Sequence, residues 1–254
     1  MHVLLGRHVI ATRALATALM ARLAAEFGLI EIAEKAASGA LGVCAAVRSG
    51  DSVLLVDPAG AAFAVVFGDR RLSLIDLEDL PGEELAGLGH SIAVTRVRPK
   101  SAIGECCDRR LLDIADLLVS AQLLGIAEAT RNLAVDYAKV REQFGRPIGS
   151  FQAIKHQCAN MAIAAEMLSS QLDMAAIAVR DGREDAAFQV AALRLLAPKA
   201  ALANARICIQ VHGGIGFSAE ADTHHYLKQA HVLRHLVSGT AMLDLPAPLA
   251  PLRR

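Results

Sequence analysis

Between Arg109 and His235 the chain is a run of apolar residues at helical spacing, interrupted at three places. Apolar side chains three and four positions apart form one stripe on a helix. The interruptions are GRPIG, RDGRED and HGGIGFS. Each carries glycine, which tolerates conformations that end a helix, and Pro147 in the first cannot continue one. The pattern predicts helices over 109–143, 150–181, 184–212 and 220–236. Long helices joined by short links pack as an up-down four-helix bundle. Ser150 is placed to cap the second helix. Gly145 and Gly149 are free to take positive φ.

The residues before Arg109 divide in two. Residues 9–40 keep helical spacing through LATALMARLAAEFGLIEIAEKAA, with a break near Gly28. Residues 42–100 change character. GVCAAV, SVLLVD, AAFAVVF, LSLIDL and SIAVTRV are short β-prone runs separated by SGD, PAG and GDR turns. The expected fold is mainly α with a small β module. The expected organisation is a helical segment 1–40, a β domain 41–104, the bundle 105–240 and a Pro-broken tail 241–254. The β module has no G-x-G-x-x-G and no G-K-[ST], so it reads as no phosphate-binding loop.

Composition removes several function classes. Formal net charge is zero, with 26 basic and 26 acidic residues and no basic stripe, which argues against nucleic acid as a partner. No window holds ~18 uninterrupted apolar residues, so no membrane span is expected. The N-terminus lacks a signal-peptide layout. Five cysteines without a C-x-x-C read as reduced thiols in a cytoplasm. His224, His225, His231 and His235 cluster on the last predicted helix and read as a polar face rather than a metal site. Glu128, Arg131, Asp136 and Lys139 read as a solvated face. A chain 54% hydrophobic and largely helical also implies apolar faces that a partner must cover.

The two links that punctuate the bundle hold more than breakers. VREQFGRPIGSFQAIKHQCANM, residues 140–161, and IQVHGGIGFSAE, residues 209–220, together resemble the acyl-CoA dehydrogenase family. The first is similar to its R-x-x-F-G-x-x-I…F-Q junction and the second to its Q-x-x-G-G-x-G-[FY] helix end. The resemblance covers residues 105–240 well and 28–104 loosely. It implies a helical N-terminal domain, a middle β domain and a C-terminal bundle, with FAD as cofactor and acyl-CoA as substrate. In the family a carboxylate takes the α-proton while a hydride passes from the β-carbon to the flavin. The junction residues touch the FAD diphosphate and adenosine held mainly by a neighbouring subunit. That assigns FAD contacts to Arg141, Gln143, Phe144, Phe151, Gln152, Gln210, Val211, Gly213, Gly214 and Thr240. Asp113 takes a CoA-facing position. The physics agrees, since arginine offers a fork of donors to diphosphate oxygens.

The chain departs from that family at the chemistry. Few residues precede the β module. The T-E-P-x-x-G-S-D-type and W-I-T-type segments that cradle a flavin ring are missing. The usual catalytic Glu is replaced by Ser238, and the alternative position is Ala115, followed by Asp116 where the family has arginine. A serine without a base cannot abstract a thioester α-proton usefully. The resemblance therefore implies a subunit with no catalytic residue of its own, completing the FAD site of a full-length acyl-CoA dehydrogenase-like partner subunit. Such short chains resemble the partner chains of α2β2 steroid-degrading enzymes, with electron-transfer flavoprotein as acceptor. Two other readings stand beside it. One is a flavin-free scaffold subunit. The other is a self-sufficient homo-oligomeric dehydrogenase whose base has moved to Asp113 or Asp116.

Overall fold

Leu15, Leu19, Met20 and Leu23 recur at three- and four-residue spacing, and all are buried. They form the inner face of a helix, Arg13–Glu26. The computed structural model describes residues 1–8, 13–85 and 92–237. Three helices open the chain: α1 His2–Arg7, α2 Arg13–Glu26 and α3 Ile30–Ala37. Gly28, at φ 74°, separates the last two, as the sequence predicts.

α1 lies outside the helix predicted over 9–40. It docks on the bundle through glycines, because a Cβ on Gly6 would strike the Gln122 carbonyl and one on Gly125 the Val3 carbonyl. Arg7 then reaches Glu128 at 2.7 Å, and the Tyr226 hydroxyl donates to the Arg7 carbonyl at 2.8 Å. Glu128 is thus a partner for α1 and not part of a solvated face.

The β-prone runs form one seven-stranded sheet: β1 Val43–Ser49, β2 Ser52–Val56, β3 Phe63–Gly68, β4 Arg71–Asp76, β5 Gly82–Leu85, β6 Val94–Val97 and β7 Gly104–Cys106. Its strand order is β5-β6-β2-β1-β3-β4-β7. β1 and β3 run parallel at the centre, and the other pairs are antiparallel. Successive side chains of a strand point to opposite faces. Val43, Ala45, Val65 and Phe67 therefore join the helical core, while Cys44, Ala46, Ala64 and Val66 build a separate small core behind the sheet.

The bundle is α4 Arg109–Val140, α5 Gln152–Arg180, α6 Ala186–His212 and α7 Thr223–Leu236. Asp108 caps α4 by accepting from the Leu111 amide at 2.8 Å. Asn204 of α6 joins three helices, donating to the Ala127 carbonyl of α4 and the Met161 carbonyl of α5, each at 3.0 Å. By length and composition alone, α5 and the stretch Ala186–Phe217 are apolar enough to cross a membrane. Both pack within the bundle. The apolarity of α5 exceeds its burial: Ile163, Met167, Met174 and Ile177 are exposed on its outer face. All five cysteines are free.

Two details of the first link differ from the sequence reading. Ser150 closes a 3-10 turn, Ile148–Ser150, and makes no cap; Phe151 stands at the helix N-cap. Gly149 takes no positive φ. Its value lies in contact, since a Cβ there would sit 2.9 Å from the Ala138 carbonyl oxygen.

Candidate cofactor half-site

The predicted helix 109–143 stops at Val140 because Arg141 turns extended, with ψ 120°. A hairpin follows, with β8 Glu142–Gln143 paired to β9 Arg146–Pro147. Its two turn residues, Phe144 at φ 56° and Gly145 at φ 76°, both lie in the left-handed region. A two-residue hairpin with positive φ at both positions matches the right-handed twist of strands. Glycine adopts it freely, whereas phenylalanine there is strained. Phe144 is nevertheless 91% exposed, so burial does not offset that strain. Its ring meets Phe151 edge-on at 6.0 Å, and the Arg146 guanidinium lies 4.2 Å over the Phe151 ring. This small aromatic and cationic cluster rigidifies the hairpin.

The second link approaches from α6. Gly213 ends that helix at φ 65° and ψ −141°, and a 3-10 turn, Gly213–Phe217, carries the chain away. A Cβ on Gly214 would meet nothing within 4 Å, so its backbone faces open space. His212 is held on two sides. Its ring stacks on Tyr137 at 4.2 Å, and its Nδ1 lies 2.8 Å from the Cys208 carbonyl oxygen. A carbonyl oxygen only accepts, so that nitrogen is the donor in this contact. Burial pushes the Cys208 thiol up to about 12, so it is inert as a nucleophile.

The two links meet in a cavity of about 450 Å³ lined by Tyr137, Arg141, Gln143, Ile148, Val211, His212, Gly213, Gly214 and Ile215. Of the residues assigned from sequence, Arg141, Gln143, Val211, Gly213 and Gly214 share this one cavity. Phe144, Phe151, Gln152 and Gln210 do not line it, and the last two are exposed on their helices. Thr240 and Ser238 lie outside the described residues. Tyr137, Ile148 and Ile215 were not assigned from sequence as cofactor contacts. For Tyr137 the signal was its spacing, one helical turn before Arg141.

Among the described residues no carboxylate, the family's type of base, lines the cavity. It has one guanidinium, an open glycine backbone and apolar walls. That donor set fits a diphosphate next to a flat ring, and the volume is too small for a whole dinucleotide.

The other assigned positions sit at the far end of the bundle. Ala115 is 2% exposed in the core. Asp116 is buried too, with Arg194 at 3.7 Å. Asp113 is half-buried, 3.7 Å from Arg109, and burial raises its carboxyl above the usual range. Among the described residues no cluster of three His, Cys, Asp or Glu is placed to hold a metal.

Residues 109–241 match the family model described as acyl-CoA dehydrogenase, C-terminal domain. The chain is 37% identical over 187 residues to "Acyl-CoA dehydrogenase FadE34" of Mycobacterium tuberculosis, covering 72% of this chain and 26% of that protein. It is 34% identical over 227 residues to "Acyl-CoA dehydrogenase IpdE2" of the same organism, covering 89% of this chain and 64% of that one. The chain thus spans less than two thirds of either relative. Among solved structures, a variant of the Tcur3481–Tcur3483 steroid ACAD superposes with TM-score 0.75 at 26% identity, over 92% of this chain and 74% of that one. The ChsE4–ChsE5 complex of Mycobacterium tuberculosis gives TM-score 0.72 at 26% identity, over 92% and 73%.

Proposed function

The chain belongs to the acyl-CoA dehydrogenase family, and from that premise we propose that it is a subunit completing the FAD site of a catalytic partner. The single observation that carries this reading is the cavity where the family's two link motifs converge. Arg141 would hold diphosphate oxygens, and the backbone at Gly213 and Gly214 would let the cofactor approach closely. Tyr137 and His212 would form the flat wall beside it. Bound FAD accepts the hydride lost from the β-carbon of an acyl-CoA.

In this reading the site is divided between two chains. This chain supplies the diphosphate clamp, and the partner supplies the flavin cradle and the base. Three things support the division: the missing cradle motifs, Ser238 and Ala115 at the positions of the family's base, and the size of the cavity. The outer face of α5 offers apolar surface for assembly. Residues 1–40, 41–104 and 105–240 serve as a helical segment, a β domain and the bundle. The substrate class is a bulky, steroid-derived acyl-CoA, by kinship with the steroid-associated assembly above. The complex works in the cytoplasm and passes electrons to electron-transfer flavoprotein.

Arg141→Ala in the co-expressed complex tests the reading. Losing charge-assisted bonds to a diphosphate weakens FAD by about 10- to 100-fold, read as flavin lost from the complex. Unchanged flavin content would favour a scaffold subunit that touches no cofactor. Flavin and turnover with the chain alone would favour a self-sufficient enzyme, with Asp113 the first base to test.

A further inference from the structure

His212 lines the cavity where the two links meet, and its surroundings fix how its ring can act there. The ring lies nearly flat on Tyr137, with centroids 4.2 Å apart and planes 20° apart. Its Nδ1 donates to the Cys208 carbonyl oxygen at 2.8 Å. A stack against α4 and a hydrogen bond within α6 therefore hold the ring in one orientation. Nδ1 keeps its proton in either charge state, because a carbonyl oxygen only accepts. Titration of the ring can then change only Nε2, which has no hydrogen-bond partner among the described residues. Nε2 is an acceptor when the ring is neutral and a donor when it is charged.

Few other charges surround it. α4 brings Tyr137 and, just past its end, Arg141; the hairpin and the two 3-10 turns add no ionisable side chain to the lining. Arg146 lies over Phe151 and does not line the cavity. Cys208 of α6 has its Sγ 3.8 Å from Nδ1, and its thiol is pushed up to about 12. On α5, Cys158 interacts with Cys208, and burial raises its thiol too. Phenols and guanidiniums hold one charge state between about pH 6 and about pH 8, whereas histidine is the side chain that titrates in that range. The cavity thus carries one permanent cation, and the diphosphate of a dinucleotide carries two negative charges.

We propose that His212 is a proton-coupled cofactor contact: Nε2 takes a proton from solvent as the FAD diphosphate binds and, so charged, donates a hydrogen bond to a phosphate oxygen as the second cation beside Arg141. This inference rests on the reading of the cavity as an FAD half-site. A neutral ring would turn a lone pair toward phosphate oxygens, which only accept. A neighbouring anion favours the charged imidazole, so the bound state holds more protons than the free one. Affinity then falls as pH rises.

The test is a fluorescence titration of the flavin-free complex with FAD across that range. The Kd should rise about tenfold or more from about pH 6 to about pH 8. Calorimetry in two buffers of different ionisation heat should show proton uptake approaching one per FAD. His212→Gln should flatten the pH dependence and abolish the uptake. Arg141→Ala should weaken binding at every pH and keep the slope. A flat Kd or no proton uptake in the unaltered complex overturns the proposal, whether or not the variant folds, and points to a neutral ring facing a ribose hydroxyl. A slope that survives His212→Gln overturns it as well. A complex that binds no FAD, or one indifferent to Arg141→Ala, overturns the half-site reading and this inference with it.

Discussion

At the residue scale, Gly214 separates binding from folding. A side chain there meets no neighbour, so Gly214→Val should leave thermal stability nearly unchanged while projecting into the proposed FAD cavity. Flavin content of the complex should fall; retained flavin would mean the cavity is not where the cofactor lies. Asn204 predicts the reverse. Its amide satisfies two buried carbonyls on two helices, so Asn204→Ala should cost about 1–3 kcal/mol, visible in denaturant unfolding. Titration adds a third test. Burial, with His224 and Lys228 nearby, holds His225 below 6.5, and burial, Arg206 and Arg234 do the same to His231. Between the lowered folded value and 6.5 the unfolded chain binds more protons, so this stability is present above 6.5 and is lost as pH falls below it. Asp57 and Asp113 carry the opposite sign, being raised by burial from 3.8, and act at the acid end. The melting temperature should therefore drop between about pH 7.5 and about pH 5.5, and His225→Gln/His231→Gln should flatten the slope.

At the element scale, the helices and strands were legible because period and punctuation agree. α4 to α7 fall within a few residues of the stretches that apolar spacing marks out, and Gly28 breaks the N-terminal helices where expected. The ends of the elements were less legible. EQFGRP reads as a helix stop, yet it pairs as a hairpin whose turn places a phenylalanine at positive φ. Nothing local signals that, because the turn is stabilised by the Phe151 and Arg146 contacts, which depend on where α5 begins. α1 was missed for a similar reason. Its six residues have no strong stripe, and it is held by the Gly6–Gly125 crossing with α4. Gly125→Leu should undock α1 and expose its amides to hydrogen exchange, with the bundle amides still protected.

At the scale of the whole molecule, what could be read from sequence was the pair of motifs, and what could not was which of their residues converge. Arg141, Gln143, Val211, Gly213 and Gly214 come together because α4 and α6 run side by side and end at the same level. Gln152 and Gln210 point away, because helix phase, not sequence proximity, decides direction. Asp116 was hidden by its type: an acid early in a helix reads as solvated, but here it is buried beside Arg194 on another helix. The stripe Ile163, Met167, Met174 and Ile177 recurs at helical spacing and is exposed among the described residues. Large exposed apolar stripes mark interaction surfaces. Met167→Glu/Met174→Glu should leave the chain folded and abolish co-purification with the proposed partner.

The shared cofactor site is tested most directly by the visible spectrum of the purified chain, alone and co-expressed with a full-length acyl-CoA dehydrogenase-like partner. The account predicts a colourless chain alone, and a yellow co-purifying complex with one FAD per pair of unlike subunits. A chain that is yellow and turns over acyl-CoA by itself would contradict it.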